Sequence, residues 1–494
     1  MVGGMTEWAF PREVPNWIDG KAIWAAAGER FTKVDPATGA GLAEVCRSRA
    51  VDVAQAISVA RRVYPGWRAL TPVARGDHVR EIALGIQQRA GYFADIVARE
   101  TGKSKKDALG EVKAAVEMGF FVAGEGRRWY GRTTTSAVPN KQASVVRQPL
   151  GVAGLIIAAN TPIANVAWKV FPAIMCGNTA ILKASEDTPA TAWAVALLAH
   201  ELGLPPGVFN LVHGFGEEAG APLVASELVD VISFTGSTSV GREIARVGGA
   251  RLAKVCLELG GKNPLIVCDD ADLDRAAESA LLSAFSNAGQ RCASASRILV
   301  FDAVYDRFRT KLLERVARLR VGPADTDDFG PVINLGQLES MLSAVQAAVA
   351  LGAKVLTGGQ RLTGAAHRDG FYMAPTIIEE ASPEQPLSRT EIFGPITAMY
   401  RVQGFEEALT LANASPYGLT AAIWTADVHR AMEFINRVET GVAVVNGGTY
   451  GSEPHMPFGG LKQSGNGMRE AGTEAMDVYS DWKTVYINHD PSVT

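Results

Sequence analysis

Gly151-Val152-Ala153-Gly154-Leu155-Ile156-Ile157-Ala158-Ala159-Asn160-Thr161-Pro162 is a short apolar run that stops on an amide and a proline. Runs of the same kind follow at Ala180 to Leu182, Val208 to Val212 and Val229 to Phe234, separated by segments with helical spacing. Apolar strands that alternate with helices are the signature of βαβ units and a parallel sheet. The pattern predicts an open α/β nucleotide-binding domain of Rossmann-like type over residues 151–257. Upstream, Val51 to Trp67, Pro72 to Glu100 and Lys106 to Tyr130 carry helical periodicity, so residues 1–130 are expected to add a helical layer to the same domain.

Downstream of Glu258 the pattern restarts. Helices are predicted over Ala271 to Phe285, Val304 to Leu319 and Leu335 to Leu351, and strands over Ile298 to Phe301, Ile396 to Tyr400 and Val442 to Val445. This gives a second α/β domain, residues 258–474, with its own core. Between the helical layer and the first strand, Gly131 to Lys141 breaks the periodicity and Ala143 to Pro149 alternates as a strand does. The stretch Ala475 to Asn488, rich in Val and Tyr, reads as a strand able to pair with it. Residues 131–150 and 475–494 are therefore assigned to a small β ribbon of the kind that packs on another subunit.

With 494 residues, 47% hydrophobic and 20% charged, the chain has ample material for two cores. A net charge of −4 without a basic tract argues against a nucleic-acid partner. Five scattered cysteines with no Cys-x-x-Cys pair imply neither a disulfide framework nor a metal site. Met1 to Arg12 shows no leader pattern and no apolar run is long enough to span a bilayer, so a cytoplasmic location is expected.

Two segments carry the chemistry. Phe285-Ser286-Asn287-Ala288-Gly289-Gln290-Arg291-Cys292-Ala293-Ser294 offers a thiol directly behind an arginine, whose charge would favour the thiolate. A lone cysteine is otherwise a small buried hydrophobe. The strand Ala253 to Leu259 ends with Glu258 before Gly260-Gly261, which places a carboxylate over open backbone as a base and favours the reading of Cys292 as a nucleophile. Asn160 presents an amide at the cleft, either as a loop cap or, with the backbone N–H of Cys292, as an oxyanion hole.

On the cofactor side, Gly214-Phe215-Gly216-Glu217-Glu218-Ala219 scans as a dinucleotide fingerprint, but its two glutamates would repel a pyrophosphate. Phe234-Thr235-Gly236-Ser237-Thr238-Ser239-Val240-Gly241 is a better phosphate site, a strand end opening into a helix without an acid. The plainer reading is a Ser/Thr N-cap. Lys183 and Glu186 close another strand, where a solvated loop is the alternative.

The blocks Glu258-Leu259-Gly260-Gly261-Lys262 and Gly289-Gln290-Arg291-Cys292, 34 residues apart between Glu258 and Cys292, resemble those of the aldehyde dehydrogenase superfamily. The resemblance runs from about Phe31 to Lys483 and implies NAD(P)-dependent, non-acylating oxidation of an aldehyde through a cysteine thioester. It implies Cys292 as nucleophile, Asn160 as oxyanion donor and Glu258 as the base that activates water. It also links Lys169 and Glu470 to proton passage, although a structural ion pair would look the same. Gly236 and Ser237 would hold the pyrophosphate, Lys183 and Glu186 the adenosine ribose, Glu391 the nicotinamide ribose and Phe393 the ring, with Gly216 and Leu259 completing the set. A carboxylate such as Glu186 accepts from a 2′-hydroxyl and repels a 2′-phosphate, so NAD is expected over NADP.

Thr161, Asn165 and Ser286 with Arg291 suggest a polar substrate pocket, and Gly451 to Gly460 is similar to semialdehyde dehydrogenases such as the 2-oxoglutarate semialdehyde type. The expected substrate is a small anionic semialdehyde, and the expected assembly a homodimer or homotetramer. The alternatives are an NADP-dependent enzyme, disfavoured by Glu186, a CoA-acylating one, disfavoured by Glu258, and an oxidiser of neutral aliphatic or aromatic aldehydes.

Overall fold

A computed structural model describes residues 9–379 and 381–493, so the first eight residues of the Met1 to Arg12 stretch and the last residue of the expected ribbon lie outside it. Its first sheet has seven strands in the order Lys254–Glu258, Val231–Thr235, Val152–Ile156, Thr179–Lys183, Phe209–Val212, Asn16–Ile18 and Lys21–Ile23. The first five are parallel, and the two short N-terminal strands add antiparallel at one edge. Val152–Ile156 is the middle one of the five parallel strands, buried along its whole length, and the parallel sheet extends from it in both directions. In an open sheet of this kind the crevice for a ligand opens at the carboxyl ends where the strand order reverses.

Strand Lys254–Glu258 pairs with Val231–Thr235 so that Glu258 stands opposite Thr235 at this carboxyl edge. After a short link containing Gly260 and Gly261, Asn263–Val267 starts the second seven-stranded sheet. Its order is Lys354–Thr357, Thr376–Glu379, Ile396–Val402, Ala295–Phe301, Asn263–Val267, Thr420–Trp424 and Val442–Val445, antiparallel only at the first pair. The end of one sheet therefore faces the beginning of the other. Each sheet packs its helices around its own apolar clusters, Phe171, Ile174 and Leu182 in the first and Phe285, Phe308 and Leu299 in the second.

Several expected boundaries move. The stretch Pro72 to Glu100 is two helices, Pro72–Gln88 and Ala90–Thr101, turned at Arg89, and the next helix, Lys105–Glu125, ends short of Tyr130. The expected strand Ala475 to Asn488 begins as a helix, Ala475–Tyr479. Its Ala475, Val478 and Tyr479 are spaced for one helical face and are buried in the first core, which outweighs their β propensity. Ser480–Asn488 then pairs antiparallel with Lys141–Pro149, which in turn pairs with Arg132–Thr135. Among the described residues no helix is long and apolar enough to cross a membrane.

Candidate active site

Asn160 lies just beyond the central strand, and Thr161 and Pro162 open the helix Pro162–Met175 immediately after it. Its Nδ2 donates to the carbonyl of Gln290 at 3.0 Å, which brings the amide beside the Cys292 loop. That loop leaves helix Leu273–Phe285 through Asn287 and Ala288, both left-handed with φ of 55° and 53°. Two consecutive non-glycine residues in that region are a strained conformation of the kind that clusters at functional sites. Asn263 at the start of the second sheet donates to the carbonyls of Cys292 (2.7 Å) and Ser294 (2.9 Å). The approach needs a glycine opposite it, since a Cβ on Gly261 would stand 2.6 Å from the Cys292 carbonyl oxygen.

Cys292 is half-buried. The protein packed around it, then the carboxylates of Glu391 and Glu258, push its thiol up to about 12. The expected help from Arg291 does not materialise: its guanidinium carbon lies 5.6 Å from the centre of the Tyr450 ring, and the charges acting on the thiol are carboxylates. The thiol is therefore protonated at neutral pH and needs a base to become a nucleophile.

Glu258 is such a base by position and by environment. It is 5% exposed, and neither carboxylate oxygen has a hydrogen-bond partner. Burial, and then the nearby Glu470, push its carboxyl well above the ordinary range, while Lys169 and Arg469 pull the other way. Behind it Lys169 and Glu470 form a fully buried ion pair, with Ser233 accepting from Lys169 at 2.7 Å and donating to Glu470 at 2.8 Å.

Asn160, Thr161, Asn165, Glu258, Leu259 and Cys292 line two cavities at once, one of about 520 Å³ and one of about 400 Å³. Arg291 joins Trp168, Tyr450 and Phe458 in the wall of the larger, so this pocket has an aromatic side as well as the polar one expected. Asn165 Nδ2 donates to the Ala158 carbonyl at 3.2 Å. Ser286 is not among the residues lining either cavity; its hydroxyl donates to the Leu282 carbonyl at 2.6 Å and closes its own helix.

The smaller cavity carries Glu391 and Phe393. Glu391 accepts from the backbone N–H of Gly261 at 3.0 Å, and burial pushes its carboxyl up to about 7. Phe393 has φ 59°, left-handed for an aromatic residue. Gly236 and Ser237 connect this cavity to a third of about 660 Å³. Ser237 caps helix Thr238–Ala250, so the cap and the phosphate readings describe one place. Lys183, Glu186 and Gly216 also line the third cavity, with Lys183 paired to Glu186 at 3.0 Å. Of the two glutamates next to Gly216, Glu217 faces the cavity, whereas Glu218 is held by Arg47 and Arg49. The second and third cavities form one groove with room for an extended dinucleotide: apolar walls at Ile156, Val224 and Ile244 for a flat ring, a helix N-terminus for phosphates, and an open face at Gly216 where a Cβ would meet nothing.

Sequence reading missed Thr235, which lines all three cavities, and the buried pair Lys103–Glu111 in the one that holds Arg291. Thr235 closes the strand directly before Gly236 and Ser237, where the phosphate signal comes from the glycine and the serine. Nothing in the local pattern around Lys103 marks it, because its partners lie on other elements.

A thiol, a base and an amide where a dinucleotide groove meets a second pocket of about 520 Å³ define an oxidoreductase acting on a carbonyl carbon. Residues 24–485 match the model of the aldehyde dehydrogenase family. The chain is 36% identical over 475 residues to an alpha-ketoglutaric semialdehyde dehydrogenase of Bacillus subtilis (strain 168), covering 96% of this chain and 97% of that one. It is 37% identical over 476 residues to a 2,5-dioxopentanoate dehydrogenase of Saccharolobus solfataricus, covering 95% and 98%. Among solved structures, a betaine aldehyde dehydrogenase from Staphylococcus aureus in complex with NAD+ superimposes with a TM-score of 0.94 at 32% identity, covering 97% of this chain and 95% of that one. The chain belongs to the aldehyde dehydrogenase family. It is an oxidoreductase that acts on aldehydes.

Proposed function

We propose that this enzyme oxidises a small anionic semialdehyde to the corresponding acid, with NAD as cofactor and a thioester on Cys292 as intermediate. Glu258, its carboxyl raised by burial, takes the thiol proton, and the Cys292 sulfur adds to the aldehyde carbonyl. The Asn160 amide and the backbone N–H of Cys292 receive the negative charge that develops on the oxygen. Gly236, Ser237, Lys183, Glu186 and Glu391 would hold NAD, which when bound would take up the hydride that leaves the former carbonyl carbon as the thioester forms. Once its carboxyl has passed the thiol proton on, Glu258 draws a proton from water as the water oxygen bonds to the thioester carbon; the C–S bond then breaks, the acid leaves and the sulfur regains a proton as the thiol. Lys169, Ser233 and Glu470 stand directly behind Glu258 as a buried path for the protons it passes on. A water-activating carboxylate favours hydrolysis over transfer to CoA. Glu186 at the rim of the third cavity favours NAD over NADP.

The observation that carries the substrate class is Arg291. It shares the larger cavity with Cys292, and its Nε is buried without a hydrogen-bond partner. A guanidinium can hold a carboxylate through paired hydrogen bonds, and a site built for that charge discriminates against analogues lacking it. The relatives named for semialdehyde substrates support the same class. The aromatic side formed by Trp168 and Phe458, 5.5 Å apart edge to face, favours the second reading, a neutral aldehyde. Comparing kcat/KM for a carboxylated semialdehyde and its uncarboxylated chain-length match separates the two. The parent should prefer the acid and Arg291→Ala should lose that preference by about 10-fold or more; no preference in the parent means a neutral substrate.

The assembly is a homo-oligomer joined through the three-stranded ribbon, whose Val146, Tyr486 and Ile487 are exposed apolar side chains that a second copy would cover.

A further inference from the structure

Lys103 and Glu111 form an ion pair in the wall of the larger cavity, with side-chain exposures of 3% and 5%. Removing two charges from water costs more than a mutual contact usually returns, so such a pair is weak evidence for stability. Its partners suggest another use. Lys103 Nζ also donates to the backbone carbonyl of Asn160 at 2.7 Å. The second oxygen of Glu111 accepts from the backbone N–H groups of Ile163 (3.0 Å) and Ala164 (3.3 Å). These belong to the first turn of helix Pro162–Met175, where Pro162 has no N–H and Thr161 makes no side-chain cap. One carboxylate therefore fixes the chain after Asn160 directly and the carbonyl of Asn160 through the lysine.

We propose that Lys103, clamped by Glu111, is a positioning residue that sets the direction of the Asn160 amide toward the reacting carbonyl. The inference rests on the reading of Asn160 as oxyanion donor. An amide has two N–H bonds to give. With its peptide plane held by Lys103 and one N–H given to Gln290, Asn160 keeps the other for the cavity. Lys103 is itself committed to Glu111 and Asn160 and does not serve as the anchor of a substrate carboxylate. The effect on rate follows from geometry, since a misplacement of about 1 Å at a reacting centre costs about 100-fold.

The test is a double-mutant cycle on the single-turnover rate of NADH formation, with Lys103→Met, Asn160→Ala and the pair combined. Lys103→Met should slow this step about 10- to 100-fold, equally for the carboxylated semialdehyde and its uncarboxylated match. Alkylation of Cys292 by iodoacetamide, which develops no oxyanion, should keep its parental rate, and fluorescence titration should give an unchanged affinity for NAD. In the Asn160→Ala background the further loss from Lys103→Met should vanish. A loss that persists undiminished there overturns the proposal, as does a parallel fall in alkylation, which would mean a collapsed loop. A loss confined to the carboxylated aldehyde overturns it too, making Lys103 the substrate anchor. If Asn160→Ala alone keeps the parental rate, the oxyanion reading fails and the inference falls with it. Should Lys103→Met not fold, Lys103→Met/Glu111→Gln, which leaves no lone buried charge, carries the same comparison.

Discussion

Cys292 and Glu258 hold one proton-transfer problem between them: a thiol pushed up to about 12 and a carboxyl pushed well above its ordinary range. Replacing Glu258 with Gln removes the acceptor for the thiol's proton as well as for water's, so this variant should form its first equivalent of NADH much more slowly than the parent and then stall. A rapid-mix trace with unchanged steady turnover would take Glu258 out of that role. In the parent, kcat should rise with pH through the raised carboxyl value, since only the ionised form is a base. The same shift acts oppositely on stability. A buried carboxyl that keeps its proton in the folded chain and releases it in the unfolded one costs stability as pH rises from its ordinary value through the raised one. Glu258→Gln should therefore melt with the parent below that window and at a higher temperature above it; equal melting temperatures on both sides would mean that Glu258 is not strained by burial. Both residues were legible in the sequence because a glycine pair and a polar loop mark where backbone opens. The direction of Arg291 was not, because the ring it lies near, that of Tyr450, comes from a distant loop.

At the scale of elements, apolar runs and helical spacing located the central strands within one or two residues, since buried parallel strands read as continuous hydrophobic segments. The helix Ala475–Tyr479 was hidden because five residues are too few to show a helical period beside the Val- and Tyr-rich stretch that follows. The strand Ser480–Asn488 that follows makes nine pairs with Lys141–Pro149, and this exposed ribbon is where oligomer formation is expected. Tyr486→Glu with Ile487→Lys, both more than half exposed, should leave the monomer fold intact and shift sedimentation to a smaller species. An unchanged sedimentation coefficient would place the contact elsewhere. Strand Thr179–Lys183 ends in the pair Lys183–Glu186 at the dinucleotide groove. Glu186→Ser removes the charge that would face a 2′-phosphate, and the ratio of kcat/KM for NAD over NADP should fall by about 10-fold; an unmoved ratio would mean that the ribose lies away from Glu186.

In the whole molecule, the two sheets were readable separately, but the cavity between them was not, because it is made by residues from 103 to 470 that no sequence window contains together. The division of labour between the sheets nevertheless has a direct consequence. Every residue lining the third cavity falls between Ile156 and Val247, on the first sheet and its helices. Cys292 enters from the second sheet, on a loop held by Asn263. The first sheet should therefore set affinity for the adenosine and phosphate part of the dinucleotide, with Glu391 and Phe393 as the second domain's share, and the thiol should add chemistry without anchoring. Cys292→Ala is the clean separation: NADH production should fall to background, while the dissociation constant for NAD, read by fluorescence quenching, should stay within about threefold of the parent. The small change of volume at a half-buried site is expected to alter stability by no more than about 1 kcal/mol. Retained turnover in this variant would remove Cys292 from the reaction. Lost turnover with lost NAD binding would instead mean that the two sheets act as one binding surface, and that the groove is completed only when the Cys292 loop is intact.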